Sequence, residues 1–339
     1  MTTKRLGFFT RILDDAPAAT RYGNAIEQIQ LAERVGFDSA WVAQHHFHRD
    51  EGGLPSPLVF LSYAAAVTER IRLGTGIITL PLENPLRVAE DAAVLDLLSH
   101  GRLEVGVGSG GTPSSFTAFG LDVADRAGVF DEHLAVVLAA WGGEPIGHPD
   151  NTLYPAAPQL AERVWQATFS VAGARRAGLR GDGLMLSRTQ PRPADAPDRS
   201  LSDIQNPIID AYLDALPAGA TPRIVGSRTL FVSDDRDSAR AYAATGLRRA
   251  AVGLRRAGHT LPDDDLDTLI SRLDTHLGTV DDVLETLAQD TALARTTDIT
   301  FQVHSVDPPH PEVLRSIELI AAGVAPELGW VNTAVARAS

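Results

Sequence analysis

DSAWVAQHHFHRDEGGLPSP, residues 38–57, is the stretch on which the reading of this 339-residue chain turns. Its segment 39–43 is short, apolar and rich in strand formers, the signature of a strand buried on both faces of a parallel sheet. It runs straight into Gln44, His45, His46 and His48, then breaks at Gly52, Gly53 and Pro55. Parallel α/β folds place their chemistry at the carboxyl ends of buried strands. A strand end carrying three histidines within four positions is therefore the first candidate site.

Working outward, 5–10 (RLGFFT) reads as the first strand and 22–35 as an amphipathic helix with Gly36 just past its end. Downstream come a buried helix over 58–68 and a third strand over 71–80 with two internal glycines. A helix over 85–99 closes at Gly101, and a fourth strand, 103–107, runs into Gly108-Ser109-Gly110-Gly111-Thr112. A helix over 124–141 precedes an irregular Pro- and Gly-rich excursion, 142–162. Strands at 164–169, 183–187 and 223–232 then alternate with helices at 171–179, 203–216 and 238–257. Two acidic helical stretches, 263–277 and 280–293, lead to a last strand at 298–303 and a closing helix at 311–325. Eight strands separated by helices, over this length and without a linker, predict an α/β fold: a single (β/α)8 TIM barrel with insertions spanning 1–339.

Composition removes whole classes of function. A formal net charge of −13 disfavours nucleic-acid and anionic membrane partners. No run of about 18 apolar residues occurs, so no spanning helix is expected. The first 14 residues lack a signal-peptide layout, which makes the cytoplasm the expected location. The chain has no cysteine, excluding disulfides, thiolate nucleophiles, zinc ribbons and iron–sulfur clusters. Its single lysine, Lys4, precedes the first strand, the wrong end of a barrel for Schiff-base or pyridoxal chemistry.

In a barrel, the residues after each strand converge on one mouth. That mouth collects His45, His46 and His48, the Gly74-Thr75-Gly76-Ile77 run, 109–112, Thr168, Ser170, Ser187, Arg188 and His304. His46 and His48 have the spacing of a metal pair, but the later strand ends offer only His304 and Asp307 as further ligands, so no metal site is predicted. Glycine inside the third strand leaves room for a ligand to lie on backbone, making Gly76 and Ile77 a candidate floor for a planar ring. Ser109, Gly110 and Gly111 can present backbone N–H groups to an anion. Thr168, Ser170 and Gly173 cross from strand to helix, where a phosphate fits the helix dipole, with Arg188 as a nearby cation. A plain Ser170 N-cap is the competing reading. His100, His133, His148, His259 and His276 read as structural, and Glu90 and Asp91 as surface charges. The 188–199 loop is polar and proline-rich, a candidate lid.

Taken together, GFDSAWVAQHHF, IRLGTGIITLP, NPLRVAEDAAVLDLLSHGRLEVGVGSG and GDGLMLS resemble the luciferase-like flavin-dependent monooxygenases over nearly the whole chain. The resemblance implies a TIM barrel that binds FMN, supplied reduced by a separate flavin reductase. It further implies activation of O2 as a flavin C4a-peroxide and oxygenation of a small substrate. It gives His45 the place of a catalytic histidine and His46 the second place of the E-H-H-F motif. It puts a cis peptide bond at Gly76-Ile77 against the flavin ring, and the flavin phosphate at 109–111 and 168–173. Homodimers are usual in the family. Gln44 stands where the family has glutamate, and Ser109 where luciferase has a phosphate-binding arginine. A deazaflavin-dependent hydride-transfer enzyme of the same fold, or a non-catalytic flavin-binding protein, are the alternatives. Phe8, Phe9, Phe47 and Phe116 point to a partly apolar substrate.

Overall fold

Ten parallel strands appear in the computed structural model, which describes residues 4–330 apart from 194, 197, 257–260 and 262–264. They are β1 (Arg5–Thr10), β2 (Ser39–Val42), β3 (Arg72–Thr75), β4 (Ile78–Thr79), β5 (Leu103–Gly108), β6 (Val164–Ala167), β7 (Gly183–Leu186), β8 (Ile224–Val232), β9 (Thr275–Gly278) and β10 (Asp298–Gln302). β10 pairs with both β1 and β8, so β1, β2, β3, β5, β6, β7, β8 and β10 close into an eight-strand barrel. The predicted TIM barrel is the fold. All nine residues of β8 and all six of β5 are buried, as strands covered on both faces must be.

Helices follow the strands in turn: α1 (Ala18–Arg34), α2 (Pro57–Ala66), α3 (Pro85–Leu98), α4 (Pro113–Ala118), α5 (Arg126–Trp141), α6 (Val171–Arg180), α7 (Leu201–Ala215) and α8 (Arg236–Arg256). The last are α9 (Leu266–Arg272), α10 (Val280–Leu287), α11 (Thr291–Ala294) and α12 (His310–Leu319), which continues as a π turn through Ile320–Val324. Their starts follow capping chemistry: Asn84 Oδ1 accepts from the Leu86 and Arg87 amides, and Thr279 forms a capping box with Asp282. None of these helices is long and apolar enough to cross a membrane.

Three elements depart from the sequence reading. The predicted third strand is broken in two at Gly76-Ile77, giving β3 and β4. The stretch read as helix over 263–277 contains β9; residues 263 and 264 lie outside those described. β8 is nine residues long and β10 covers only Val225 to Thr229, so its outer half needs another ladder partner, which Thr275 to Gly278 supply. α4 was not anticipated in the glycine-rich segment after β5.

The barrel interior is filled by large rings set against glycine. Trp41 and Trp165 meet edge to face with centroids 5.8 Å apart. A Cβ on Gly74 would lie 2.2 Å from the Trp41 ring, and one on Gly183 2.2 Å from the Trp165 ring. Below them Trp165 Nε1 donates to Glu104 Oε2 at 2.7 Å, and Glu104 Oε1 pairs with Arg72 Nε at 2.5 Å. Arg5 and Asp298 pair at 2.7 Å. Lys4 donates to the carbonyls of Leu293 and Ala294, fixing it at the amino-terminal pole, away from the mouth.

Candidate active site

The end of β2 is pinned on both sides. The Gln44 carboxamide donates to Glu83 Oε1 at 2.6 Å and to the Pro55 carbonyl at 3.1 Å, and its oxygen accepts the Thr79 amide at 2.7 Å. One buried side chain thus joins β2 to β4 and to the turn before α3. Burial raises the Glu83 carboxyl above its ordinary value, against the lowering effect of the Gln44 hydrogen bond. An acid therefore stands beside the position where the family motif has glutamate, supplied from another element.

His45 hangs from a loop that folds back under it. Its amide donates to the Leu54 carbonyl at 2.9 Å, and Gly53 N donates to the Arg11 carbonyl at 2.9 Å. A Cβ on Gly52 would come within 2.3 Å of the His45 ring, so the glycine permits this close approach. Arg11 Nη2 lies 3.0 Å from His45 Nε2. A guanidinium can only donate, so Nε2 is the unprotonated nitrogen and the ring proton sits on Nδ1. Burial, with Arg11, His304 and His46 nearby, lowers the His45 pKa well below 6.5. The surroundings hold His45 neutral, a hydrogen-bond donor through Nδ1. His46 lies edge-on to Phe119 at 5.0 Å, and its Nε2 is buried without a partner. His48 turns to solvent, near Ser114 Oγ at 3.2 Å. The two do not converge, and among the described residues no group of three His, Asp or Glu could hold a metal ion.

A second polar cluster, of which the sequence reading named His304, Arg188 and Asp307 but not Arg11 or Thr229, forms where β1, β7, β8 and β10 end. His304 Nδ1 lies 2.9 and 3.1 Å from the two Asp307 oxygens. Burial would raise the Asp307 carboxyl, but His304 and Arg249 outweigh it and keep it ionised. His304 therefore donates from Nδ1. Burial, helped by Arg11 and Arg188 and opposed by Asp307, lowers its pKa to about 4. Arg188 Nη1 donates to Thr229 Oγ1 at 3.1 Å, and Thr229 Oγ1 to the His304 carbonyl at 2.7 Å. Burial lowers Arg11 to about 10 and Arg188 to about 9. A cleft between β1 and β10 is lined by Phe8, Phe9, Arg11, Gln302, His304 and Asp307. Arg11 and Asp307 were legible by one rule, since each closely follows a predicted strand.

The Gly76-Ile77 peptide bond is cis, where the resemblance places one. Ile77 leans over β5: a Cβ on Gly108 would sit 2.3 Å from its Cδ1. Ser109, Gly110 and Gly111 follow on, with Gly110 at φ +65°. One strand further round, Ser170 Oγ accepts the Gly173 amide at 3.1 Å, and Thr168 Oγ1 accepts the Ser170 amide at 3.1 Å. Ser170 is thus the N-cap of α6, and the first-turn amides of that helix face the same end of the barrel as Ser109 to Gly111. Arg188, expected beside these loops, is instead committed to Thr229. The described part of the 188–199 loop is held down: Asp274 takes Arg192 at 2.5 Å and Thr189 at 2.6 Å, and Asp198 pairs with Arg272. The supposed lid is tied to the segment leading into β9.

A parallel eight-strand barrel with paired histidines at one strand end and amide-lined loops at its neighbours has its candidate site at the carboxyl-terminal mouth, as enzymes of this fold do. Comparison with known proteins places this chain among them. The luciferase-like monooxygenase family model matches residues 5–292, and the chain belongs to that family. It is 30% identical over 319 residues to 4-hydroxyprotoasukamycin monooxygenase of Streptomyces nodosus subsp. asukaensis, covering 89% of this chain and 85% of that protein. It is 33% identical over 234 residues to the F420-dependent glucose-6-phosphate dehydrogenase of Beutenbergia cavernae, covering 63% and 65%. The crystal structure of the monooxygenase RslO1 from Streptomyces bottropensis superposes with a TM-score of 0.77 at 26% identity, covering 95% and 99%. The protein is an oxidoreductase of the luciferase-like family.

Proposed function

We propose that this protein is a monooxygenase that takes reduced FMN from a separate flavin reductase and uses O2 to oxygenate a small, partly apolar organic substrate. The observation that carries the reading is His45: a neutral imidazole held by Arg11 at Nε2, with its Nδ1–H left to serve the mouth. When bound, the reduced flavin supplies the electrons that activate dioxygen. Gly76 and Ile77 would carry the ring, and Ser109 to Gly111 with Thr168, Ser170 and Gly173 the phosphate. His46 Nε2, buried and unpartnered, and Gln302 Oε1, likewise, are polar atoms that a bound group would satisfy. His45 holds a proton at Nδ1 where reduced oxygen would accept a hydrogen bond, and the His46, Phe47 and Phe119 rings pack on one another at the same strand end.

Titration with FMN, reduced FMN and a deazaflavin, each followed by its absorption spectrum, tests this. Tight binding of reduced FMN, followed by oxygen consumption when substrate is present, is the expected result. Exclusive binding of deazaflavin would move the reaction to hydride transfer, as the name of the Beutenbergia relative would have it. The protein is further proposed to work as a homodimer. Val59 and Tyr63 on α2 and Val94, Leu97 and Leu98 on α3 are apolar and exposed on two adjoining helices, a contiguous face that water alone covers poorly.

A further inference from the structure

The mouth of the barrel holds two guanidinium groups, Arg11 and Arg188, that make no ion pair among the described residues. Among the described residues, Arg11 has only the His45 ring and the Glu51 carbonyl as hydrogen-bond partners, and its Nε is buried with none. Arg188 has only the Thr229 hydroxyl. The carboxylates nearby are engaged elsewhere: Asp274 by Arg192 and Thr189, Asp307 by His304 and Arg249. Glu51 and Asp307 act on Arg11 only through space, outside ion-pair distance. Four arginines thus face three carboxylates at this mouth, namely Arg11, Arg188, Arg192 and Arg249 against Glu51, Asp274 and Asp307. Burying cations without counter-ions is costly, and a site built this way is completed by an anion.

We infer that Arg11 and Arg188 form an oxyanion-binding subsite, and that the substrate carries an acidic oxygen, a carboxylate or an ionised phenol or enol, held between them. The assignment of that anion to the substrate rests on the monooxygenase reading above; the anion site itself rests on the two arginines. His304 adds selectivity. With its proton on Nδ1 toward Asp307, its Nε2 can only accept, so it favours a hydroxyl neighbour of the oxyanion and repels a second anionic oxygen. The flavin phosphate belongs to different strand ends, those of β5 and β6, so the subsite is separate from the proposed cofactor-phosphate site. Charge at this mouth also orients the molecule: the acidic oxygen goes toward β1, β7 and β10, and the rest lies toward His45.

The test uses three probes: benzoate, its uncharged counterpart benzamide, and 4-nitrophenol, whose ionised form absorbs in the visible. Each is titrated into the purified protein with and without FMN. Benzoate is expected to bind at least about tenfold more tightly than benzamide, and 4-nitrophenol to bind as the phenolate, with its apparent pKa lowered. Arg188→Gln is expected to erase both preferences while FMN affinity changes less than about twofold, and Arg188→Lys to retain most of them. Circular dichroism checks that each variant is folded. Equal binding of benzoate and benzamide, no binding of benzoate and 4-nitrophenol, or an Arg188→Gln protein that keeps the preference, would each overturn the subsite. Loss of FMN binding in Arg188→Gln with benzoate binding intact would assign the arginines to the flavin and overturn it too. A protein that shows the anion preference but binds neither FMN nor deazaflavin supports the subsite and removes the flavin reading instead.

Discussion

Two side chains at the end of β2 carry the sharpest residue-scale expectations. His45→Ala removes the Nδ1–H donor and leaves Arg11 Nη2 with the Glu51 carbonyl alone, and should lower oxygenation at least about 100-fold while reduced-FMN affinity changes little. Stopped-flow single turnover separates the two; full oxygenation by the variant would end the proposal for His45. Gln44 explains itself through Glu83. A glutamate at 44 would set two carboxyl groups 2.6 Å apart, the present Gln44–Glu83 distance, and they cannot both ionise there. Gln44→Glu should therefore destabilise the protein by about 1–3 kcal/mol at pH 8, and less at pH 5, because a shared proton relieves the repulsion. The exchange Gln44→Glu with Glu83→Gln should recover the part of the loss due to that repulsion, leaving the Pro55 carbonyl without its donor, which urea unfolding at both pH values would read. The departure from the family motif was visible in the sequence. Its compensation was not, because Glu83 lies 39 residues along the chain and meets Gln44 only where the barrel brings the end of β2 beside the turn after β4.

At the scale of elements, what matters is how strand ends are fixed. Trp41 occupies the space a side chain on Gly74 would need, so Gly74→Ala should cost about 1–3 kcal/mol and loosen β2 against β3, measurable as a lower urea midpoint with unchanged slope. A variant as stable as the parent would show that the indole has room to move. The strands and helices were legible because alternation of apolar runs with amphipathic segments is a local pattern. β9 was not, for the converse reason: Thr275 to Gly278 form a strand only because β8 outruns its barrel partner. Local composition, acidic on either side, favoured helix. Similarly, the 188–199 loop looked like a lid because proline-rich polar segments usually are mobile. Asp274, 82 residues beyond Arg192, anchors it.

For the molecule as a whole, acid should be the destabilising direction. The His304 pKa is about 4 in the fold against about 6.5 for a free histidine, so the unfolded chain binds the extra proton first. Its contribution is complete above about pH 6.5 and is lost as pH falls toward 4. Burial alone would raise Asp290, but Arg228 beside it holds it at about 2, so its contribution of about 2 kcal/mol is present above about pH 4 and lost as pH falls toward 2. Urea unfolding between pH 8 and 3 should show stability declining in both windows, and His304→Gln should reduce the upper decline, with His45 and His276, also lowered by burial, supplying the rest. An increase in stability between pH 6.5 and 4 would contradict the buried neutral histidine. Assembly is tested on the α2–α3 face: Leu97→Glu with Tyr63→Glu should convert a dimer to a monomer in sedimentation velocity without changing the circular dichroism spectrum. A parent protein that is already monomeric would remove the proposed interface.

The sequence by itself determined the barrel, its eight staves and the strand end where His45 and His46 sit, because period, strand composition and the polar break after Ala43 are properties of consecutive residues. Composition also excluded thiol chemistry and argued against Schiff-base and nucleic-acid chemistry. Only the tertiary structure decided which nitrogen of His45 bears the proton, that Glu83 stands by Gln44, and that Arg11 and Arg188 share one mouth with no ion-pair partner among the described residues. Those facts depend on strands far apart in the chain ending side by side, and on burial that shifts charge equilibria in ways no local pattern encodes.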